Sequence, residues 1–353
     1  MNVGIHGIGV FLPDEVRPNG WWPQTTVEKW RERPRRGAPS ATPRVLSDGA
    51  KLIVGSMAAM EADLFRGARE RRVAPAGTLS SDLEAEACRR AIAKAGVSPS
   101  DIGLLLTYSA SPDQLGVANA CAVHQKLDLP ESCFAMATES GCNSFLMQLS
   151  IARRMIEAGA VRYALLAQSC VGSQITARDQ PVSAWFGDGA AAVVVGPVSD
   201  GRGILAEAHR VNGKQGNAVC IGVPAKRWFE EGRSEIHFPD MNQAKEMFLS
   251  VADRAEIVHE ALQKSSHTAQ EVDFYACHQG TSWLRDVTQR HLGLDRARSI
   301  DTFPTFASLS AANIPLVFSI GEQEGMLRDG DLVSAFSGGA GESWSAVVLR
   351  WGR

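Results

Sequence analysis

Between residues 78 and 198 the chain alternates helix-period stretches with short apolar runs, and this alternation limits the possible folds more than any other feature. The stretch SSDLEAEACRRAIAKAG has a cap at Ser80 or Ser81 and a stop at Gly96, and DIGLLLTYSAS follows as a buried strand. Comparable units follow: a helix near 117–126, a strand near 133–137, a helix over 142–158 closed by Gly159, and the strand YALLAQS. The strand AAAVVVGPV ends this series. After Gly203 a second series runs through a helix over 242–264, the strand VDFYACHQ, helices over 283–292 and 310–326, and two strands around SGGAGESW. Two halves of similar content, 1–200 and 201–353, predict a duplicated α/β fold: a five-layer α/β/α/β/α sandwich. No residue-level repeat accompanies this likeness.

The 353 residues suffice for a large core, and with 44% hydrophobic and 21% charged residues the composition is that of a globular chain. A formal charge of −3 supplies no general basic field for nucleic acid. No apolar run reaches the roughly 18 residues of a membrane span. MNVGIHGIGVFLP reads as a first strand and turn rather than a signal peptide, which places the protein in the cytoplasm. Seven scattered cysteines without a C-x-x-C pair predict no metal site and mostly buried, reduced thiols. Residues 14–64 break the pattern with prolines, Trp21, Trp22, Trp30 and a basic cluster, and read as an irregular insertion with one short helix. Two readings stand for it: a solvated loop pinned by tryptophans, or a lid or docking surface for an acidic carrier.

Chemistry concentrates at three places. Cys142 opens an amphipathic helix in ESGCNSFLMQLSIARRMIEAG, where the positive end of the helix dipole and free N–H groups favour a thiolate. His278 ends a strand at a glycine turn, where open α/β sheets place reacting groups, and an imidazole there can move protons. Its neighbour Cys277 faces the core in this reading, and the other seven histidines take structural hydrogen bonds. Gly338, Gly339 and Gly341 lie in a hairpin whose bare backbone can approach a carbonyl. Asp188, in WFGDGAAAVVV, is read as a structural tie for its turn.

Taken in order, GIGVFLP, ERRVAP, TLSSDLEAEACRRAI, TYSASPDQ, ESGCNSF, WFGDGAAAVVV, CHQG, SLSAANIP and GGAGESW resemble the β-ketoacyl-ACP synthase III family of the thiolase superfamily nearly end to end. The resemblance implies Cys142 as the acyl-accepting nucleophile, His278 as the catalytic histidine, and an oxyanion hole formed by the N–H groups of Cys142 and Gly341. It also implies a homodimer, no bound cofactor, and the phosphopantetheine arm of CoA or of an acyl carrier protein as substrate.

One departure bears on the reaction. The family's third catalytic residue is an asparagine in G-N-(T/L)-S-A-A, and ASLSAAN puts Ser308 there, with Asn313 too far along the helix to replace it. Asparagine and histidine together hold a malonyl thioester as its enolate develops, and loss of one such donor costs about 3 kcal/mol. The expected activity is therefore that of a synthase III-like acyltransferase of secondary metabolism, in polyketide or antibiotic pathways. It takes an acyl group onto Cys142 and passes it, ping-pong, to a hydroxyl, amine or carrier thiol without decarboxylation. A decarboxylating condensing enzyme and an inactive scaffold homologue are the alternatives. Leu115 and Gly116 stand where relatives often carry an aromatic residue, implying a roomier acyl pocket. Trp283 and Arg285 occupy a carrier-contacting stretch, and Arg66, Arg69, Arg71 and Arg72 are candidates for contact with CoA or a carrier.

Overall fold

The computed structural model describes residues 1–32 and 45–353. In the first half the strands are β1 (Asn2–Phe11), β2 (Glu15–Pro18), β3 (Glu70–Val73), β4 (Ile102–Ser109), β5 (Phe134–Ala137), β6 (Tyr163–Val171) and β7 (Asp188–Val198). The helices are α1 (Gln24–Glu32), α2 (Asp48–Ala59), α3 (Ser80–Ala95), α4 (Asn119–Leu127) and α5 (Ser144–Glu157). The second half has strands β8 (Gly203–Val211), β9 (Cys220–Gly222), β10 (Glu235–His237), β11 (Phe274–Cys277), β12 (Leu332–Gly339) and β13 (Ser343–Arg350). Its helices are α6 (Met241–Ala255), α7 (Ile257–Lys264), α8 (Leu284–His291), α9 (Phe303–Phe306) and α10 (Asn313–Gln323).

The larger sheet runs β1-β7-β6-β4-β5 and the smaller β8-β13-β12-β11. Their pairings match step for step: β1–β7 and β8–β13 antiparallel, β7–β6 and β13–β12 antiparallel, β6–β4 and β12–β11 parallel. Helices α3 and α4 cover the outer face of the larger sheet, α5 and α10 fill the space between the sheets, and α6 and α7 cover the smaller sheet. The predicted five layers are present. The shared inner layer explains why Leu104, Leu106, Val193 and Val195 of one sheet and Phe274, Val333 and Val347 of the other belong to one apolar cluster with Phe145 and Phe318.

Close approach of α3 to β1 depends on glycine: a Cβ on Gly9 would stand 2.0 Å from the Ala87 carbonyl oxygen. The start of α3 differs from its predicted cap. The N-cap is Leu79, whose N–H is bonded by Asp82 Oδ2 at 3.3 Å. Ser80 and Ser81 lie inside the first turn, where both bond Asp113 and Ser80 also donates to the Ser111 carbonyl, so they moor the helix to the loop after β4. The stretch 242–264 is two helices joined at Glu256, and α10 is preceded by a tight turn at Ser310–Ala312.

The insertion is more ordered than its composition predicts. β2 pairs antiparallel with β3, and Trp22 and Trp30 pack with Phe65 and Ala184. Trp30 Nε1 donates to the Asp179 carbonyl at 2.6 Å. α2 seats Ile53 against Ala252, Trp283, Leu284 and Val287. Arg33, Arg35, Arg36 and Arg44, the basic cluster offered as a docking surface, lie outside the described residues.

Candidate active site

Cys142 is the middle residue of a 3-10 turn, Gly141–Asn143, between the end of β5 and the start of α5. Gly141 enters that turn at φ +57, and a Cβ there would meet Ala340 N at 2.8 Å. The turn is fastened to the hairpin of the other half. Ser337 Oγ donates to the Cys142 carbonyl at 2.9 Å, Ser140 Oγ bonds Ser343 Oγ at 2.7 Å, and Asn143 Nδ2 donates to Ser345 Oγ at 2.9 Å. Glu139 Oε1 accepts from Gly141 N at 3.0 Å. The nucleophile turn is thus a junction between the two sheets, held by short polar side chains that compete well for backbone groups in turns.

His278 follows directly on β11, and its imidazole and the Cys142 thiol lie near enough for each to shift the other's ionisation. Burial by itself raises a thiol, but the His278 charge, the bonds from His278 and Ser310, and the backbone N–H of Cys142 outweigh it, so Cys142 lies below the ordinary cysteine range. Burial likewise disfavours the imidazolium, yet the Cys142 charge, its hydrogen bond and the Ser310 carbonyl lift His278 above its ordinary value. The arrangement stabilises a thiolate–imidazolium pair, the reactive form of a cysteine nucleophile. His278 Nδ1 is buried without a well-directed hydrogen bond. Behind the histidine, Gln279 N donates to Asn313 Oδ1 at 2.7 Å and Gln279 Oε1 accepts from Thr302 N at 2.8 Å, locking the end of β11.

The comparisons agree with this geometry. Two family models match: 3-oxoacyl-[acyl-carrier-protein] synthase III over residues 136–213 and its C-terminal counterpart over residues 262–351. The β-ketoacyl-[acyl-carrier-protein] synthase III of Sphingopyxis alaskensis is 32% identical over 324 residues, covering 89% of this chain and 98% of that protein. That of Rhizorhabdus wittichii is 32% identical over 292 residues, covering 81% and 88%. The chain belongs to the β-ketoacyl-ACP synthase III family. Solved folds agree: the synthase III of Aquifex aeolicus superposes with a TM-score of 0.79 at 24% identity, over 99% of this chain and 100% of that one. The priming β-ketosynthase of the R1128 polyketide pathway gives 0.80 at 21%, over 99% and 96%.

Within the synthase III frame, the predicted residues divide. Cys142 and His278 meet. Ser308 is buried, but its Oγ accepts from Ser310 N at 3.4 Å and its backbone bridges to Phe186, so its bonds tie down the loop. The hydroxyl beside the sulfur is that of Ser310, with Oγ 3.5 Å from Cys142 Sγ, and Tyr108 OH lies 3.2 Å from that Oγ. Ser310 was visible within SLSAAN; nothing in a buried strand marks Tyr108. Gly341 lies at the tip of the hairpin at φ +76 with open space around it. Gly339 is the glycine pressed against the nucleophile turn, since a Cβ on it would stand 2.2 Å from the Ser140 carbonyl oxygen.

The candidate binding residues are elsewhere or engaged. Trp283 is a core residue of the outer helices, only 9% exposed. Arg285 makes a two-pronged bond to Asp301, at 2.8 and 2.7 Å. Arg72 donates to the Pro13 and Asp14 carbonyls, and Arg71, 1% exposed, donates to Asn19 Oδ1 and the Arg17 and Ala184 carbonyls. Arg66 stacks over Trp185, leaving Arg69 as the exposed member of that run. Leu115 is exposed and Gly116 turns the chain at φ +86. Asp188 does tie its surroundings, accepting from Ala74 N and Ser173 N; Cys277 is buried, its thiol pushed up to about 12 by burial. Each of the other seven histidines has a hydrogen-bond partner. Asp253, Glu256 and His291 bring ligand atoms within 4.8 Å of one another, but His291 already bonds Glu256 and Asp253 accepts from Ser47.

Proposed function

We propose that this synthase III acts as an acyltransferase of secondary metabolism: Cys142 takes an acyl group from a CoA or carrier thioester and passes it to a hydroxyl, amine or carrier thiol without decarboxylation. The observation that carries this reading is how the polar side chains of the nucleophile turn and of the loop before α10 spend their hydrogen bonds. Ser308 is turned to Ser310 N, Asn313 spends its amide on Gln279 N and Thr302 Oγ1, and Asn143 donates to Ser343 and Ser345. With these side chains so engaged, none of them is left to join His278 in holding an enolate, whereas transfer from an acyl-cysteine needs only the thiolate, an oxyanion hole and a base. In the first half-reaction the thiolate attacks the thioester carbonyl and the donor thiol leaves with the His278 proton. In the second, His278 takes the acceptor's proton as the acceptor attacks the acyl-cysteine.

Intact-mass analysis of the protein with a panel of acyl-CoA and acyl-carrier thioesters tests the first step, each adduct mapping to Cys142. Malonyl thioester then separates the readings. Carbon dioxide release with a β-ketoacyl product overturns the proposal in favour of a decarboxylating condensing enzyme, the activity named for its relatives. Absence of any adduct across the panel favours a scaffold role. The same reading includes a cytoplasmic homodimer. All seven cysteines are free thiols, which suits a reducing compartment, and no described helix is long and apolar enough to cross a membrane. Among the described residues strand β5 ends its sheet, and Phe134 and Met136 on it are exposed, as are Leu115 and Val117 before α4, apolar surface suited to a second copy.

A further inference from the structure

Tyr108, Cys142 and Ser310 come from β4, the turn before α5 and the turn before α10, and their side chains form a continuous chain of polar contacts. Each outer atom lies within reach of Ser310 Oγ: Cys142 Sγ at 3.5 Å and Tyr108 OH at 3.2 Å. Tyr108 is 4% exposed and Ser310 3%, so neither hydroxyl is satisfied by bulk water. A hydroxyl so enclosed needs its partners, and here the partners are each other and the sulfur. The two turns carrying Cys142 and Ser310 are counterparts in the duplicated topology, each a short 3-10 turn leading into an inner helix. Gly141 enters the first at φ +57 and Ser310 enters the second at φ +52. The left-handed region costs a serine what it does not cost a glycine. Glycine at 310 would relieve that strain at the loss of the hydroxyl.

We propose that Ser310, positioned by Tyr108, is a catalytic residue of this site: its hydroxyl donates to the Cys142 thiolate while the Tyr108 hydroxyl donates to Ser310 Oγ. The inference rests on Cys142 as the nucleophile and adds a second donor to the sulfur besides His278. It also gives Ser308 and Ser310 separate roles, the first bracing the loop and the second touching the sulfur. The titratable groups facing this chain are His278 just after β11, Glu139 just before the nucleophile turn, and Cys170 from β6. His278 supplies the opposite charge to Cys142, while burial first, then Cys142, Glu139 and Cys170, push the Tyr108 hydroxyl well above its ordinary range. Tyr108 therefore stays protonated, as a donor must.

The test is the pH dependence of Cys142 alkylation by iodoacetamide, followed by intact mass, in the full chain. It needs no knowledge of the substrate. Ser310→Gly keeps a backbone suited to φ +52 and removes only the hydroxyl; its alkylation midpoint moves up by about one pH unit, and the rate near neutrality falls about tenfold. Its melting temperature stays level or rises, which separates lost chemistry from lost folding. Tyr108→Phe keeps the ring and shifts the midpoint the same way, by less. Superimposable profiles for Ser310→Gly and wild type overturn the proposal, as does a shift in Ser308→Ala that Ser310→Gly lacks. Failure of the acyltransferase reading appears separately, as wild-type protein that alkylates at Cys142 but accepts no acyl group.

Discussion

Burial opposes a charge on either Cys142 or His278, yet each favours the charged form of the other, so the thiol is shifted down and the imidazole up. Removing the imidazole leaves the thiol with burial pushing it up and only Ser310 and the backbone opposing. His278→Ala should therefore slow acyl loading near neutral pH by a factor on the order of 10²–10⁴, and raising the pH should recover part of it. Single-turnover loading across pH measures this; an unchanged profile in the variant contradicts the pairing. A second buried acid acts on stability instead. Glu84 accepts from Ser169 Oγ at 2.8 Å and Asn119 Nδ2 at 3.2 Å, yet burial pushes its carboxyl up to about 8, with Asp113 adding to the shift and Lys126 opposing it. The folded chain binds this proton more tightly than the unfolded chain, so stability is fully present below the unfolded value of about 4.5 and declines as pH rises through about 8. Glu84→Gln removes that slope. Urea midpoints at about pH 5 and about pH 8 check it, and parallel slopes in the two proteins count against it.

At the scale of elements, the insertion between β1 and β3 is held by aromatic packing around one buried guanidinium. Trp22 and Trp30 pack against each other and against Phe65, and the Arg71 guanidinium lies 4.7 Å from the Trp22 ring. Trp30→Ala removes a 3% exposed ring and its bond to the Asp179 carbonyl, costing about 3–5 kcal/mol and loosening α1 before the sheets. Limited proteolysis should then cut first in 14–32, whereas wild-type resistance there would mean that other contacts hold the segment. Tryptophans were plain in the sequence, and their role as pins was legible. The antiparallel pairing of β2 with β3 was not, because four-residue strands rich in charge carry no period-2 signal. The helix start at Leu79 was missed for a related reason: Ser80 and Ser81 have the residue type of a cap but are claimed by Asp113 and Ser111, a tertiary contact.

Over the whole molecule, the site exists because two like-built halves share one inner layer and face each other across it. Gly339 marks how closely they meet. A methyl there would lie 2.2 Å from the Ser140 carbonyl oxygen and 3.1 Å from Asn143 N, so Gly339→Ala should displace the nucleophile turn and cut acyl loading by about 10²-fold while the fold persists. Gly341→Ala, facing open space at φ +76, should cost about 1–2 kcal/mol of strain and leave the turn in place. Loading kinetics and melting curves of the two variants decide between these outcomes, and equal loading rates would refute the contact. The strand–helix alternation, the cysteine ahead of a helix and the histidine at a strand end are local patterns, and the sequence by itself determined them together with the family. Which hydroxyl reaches the sulfur is not local: Ser310 lies 168 residues beyond Cys142, and two residues from it Ser308 faces a different partner. Only the tertiary structure decided that, because periodicity records which face of an element is buried, while the packing of one half on the other sets what lies opposite.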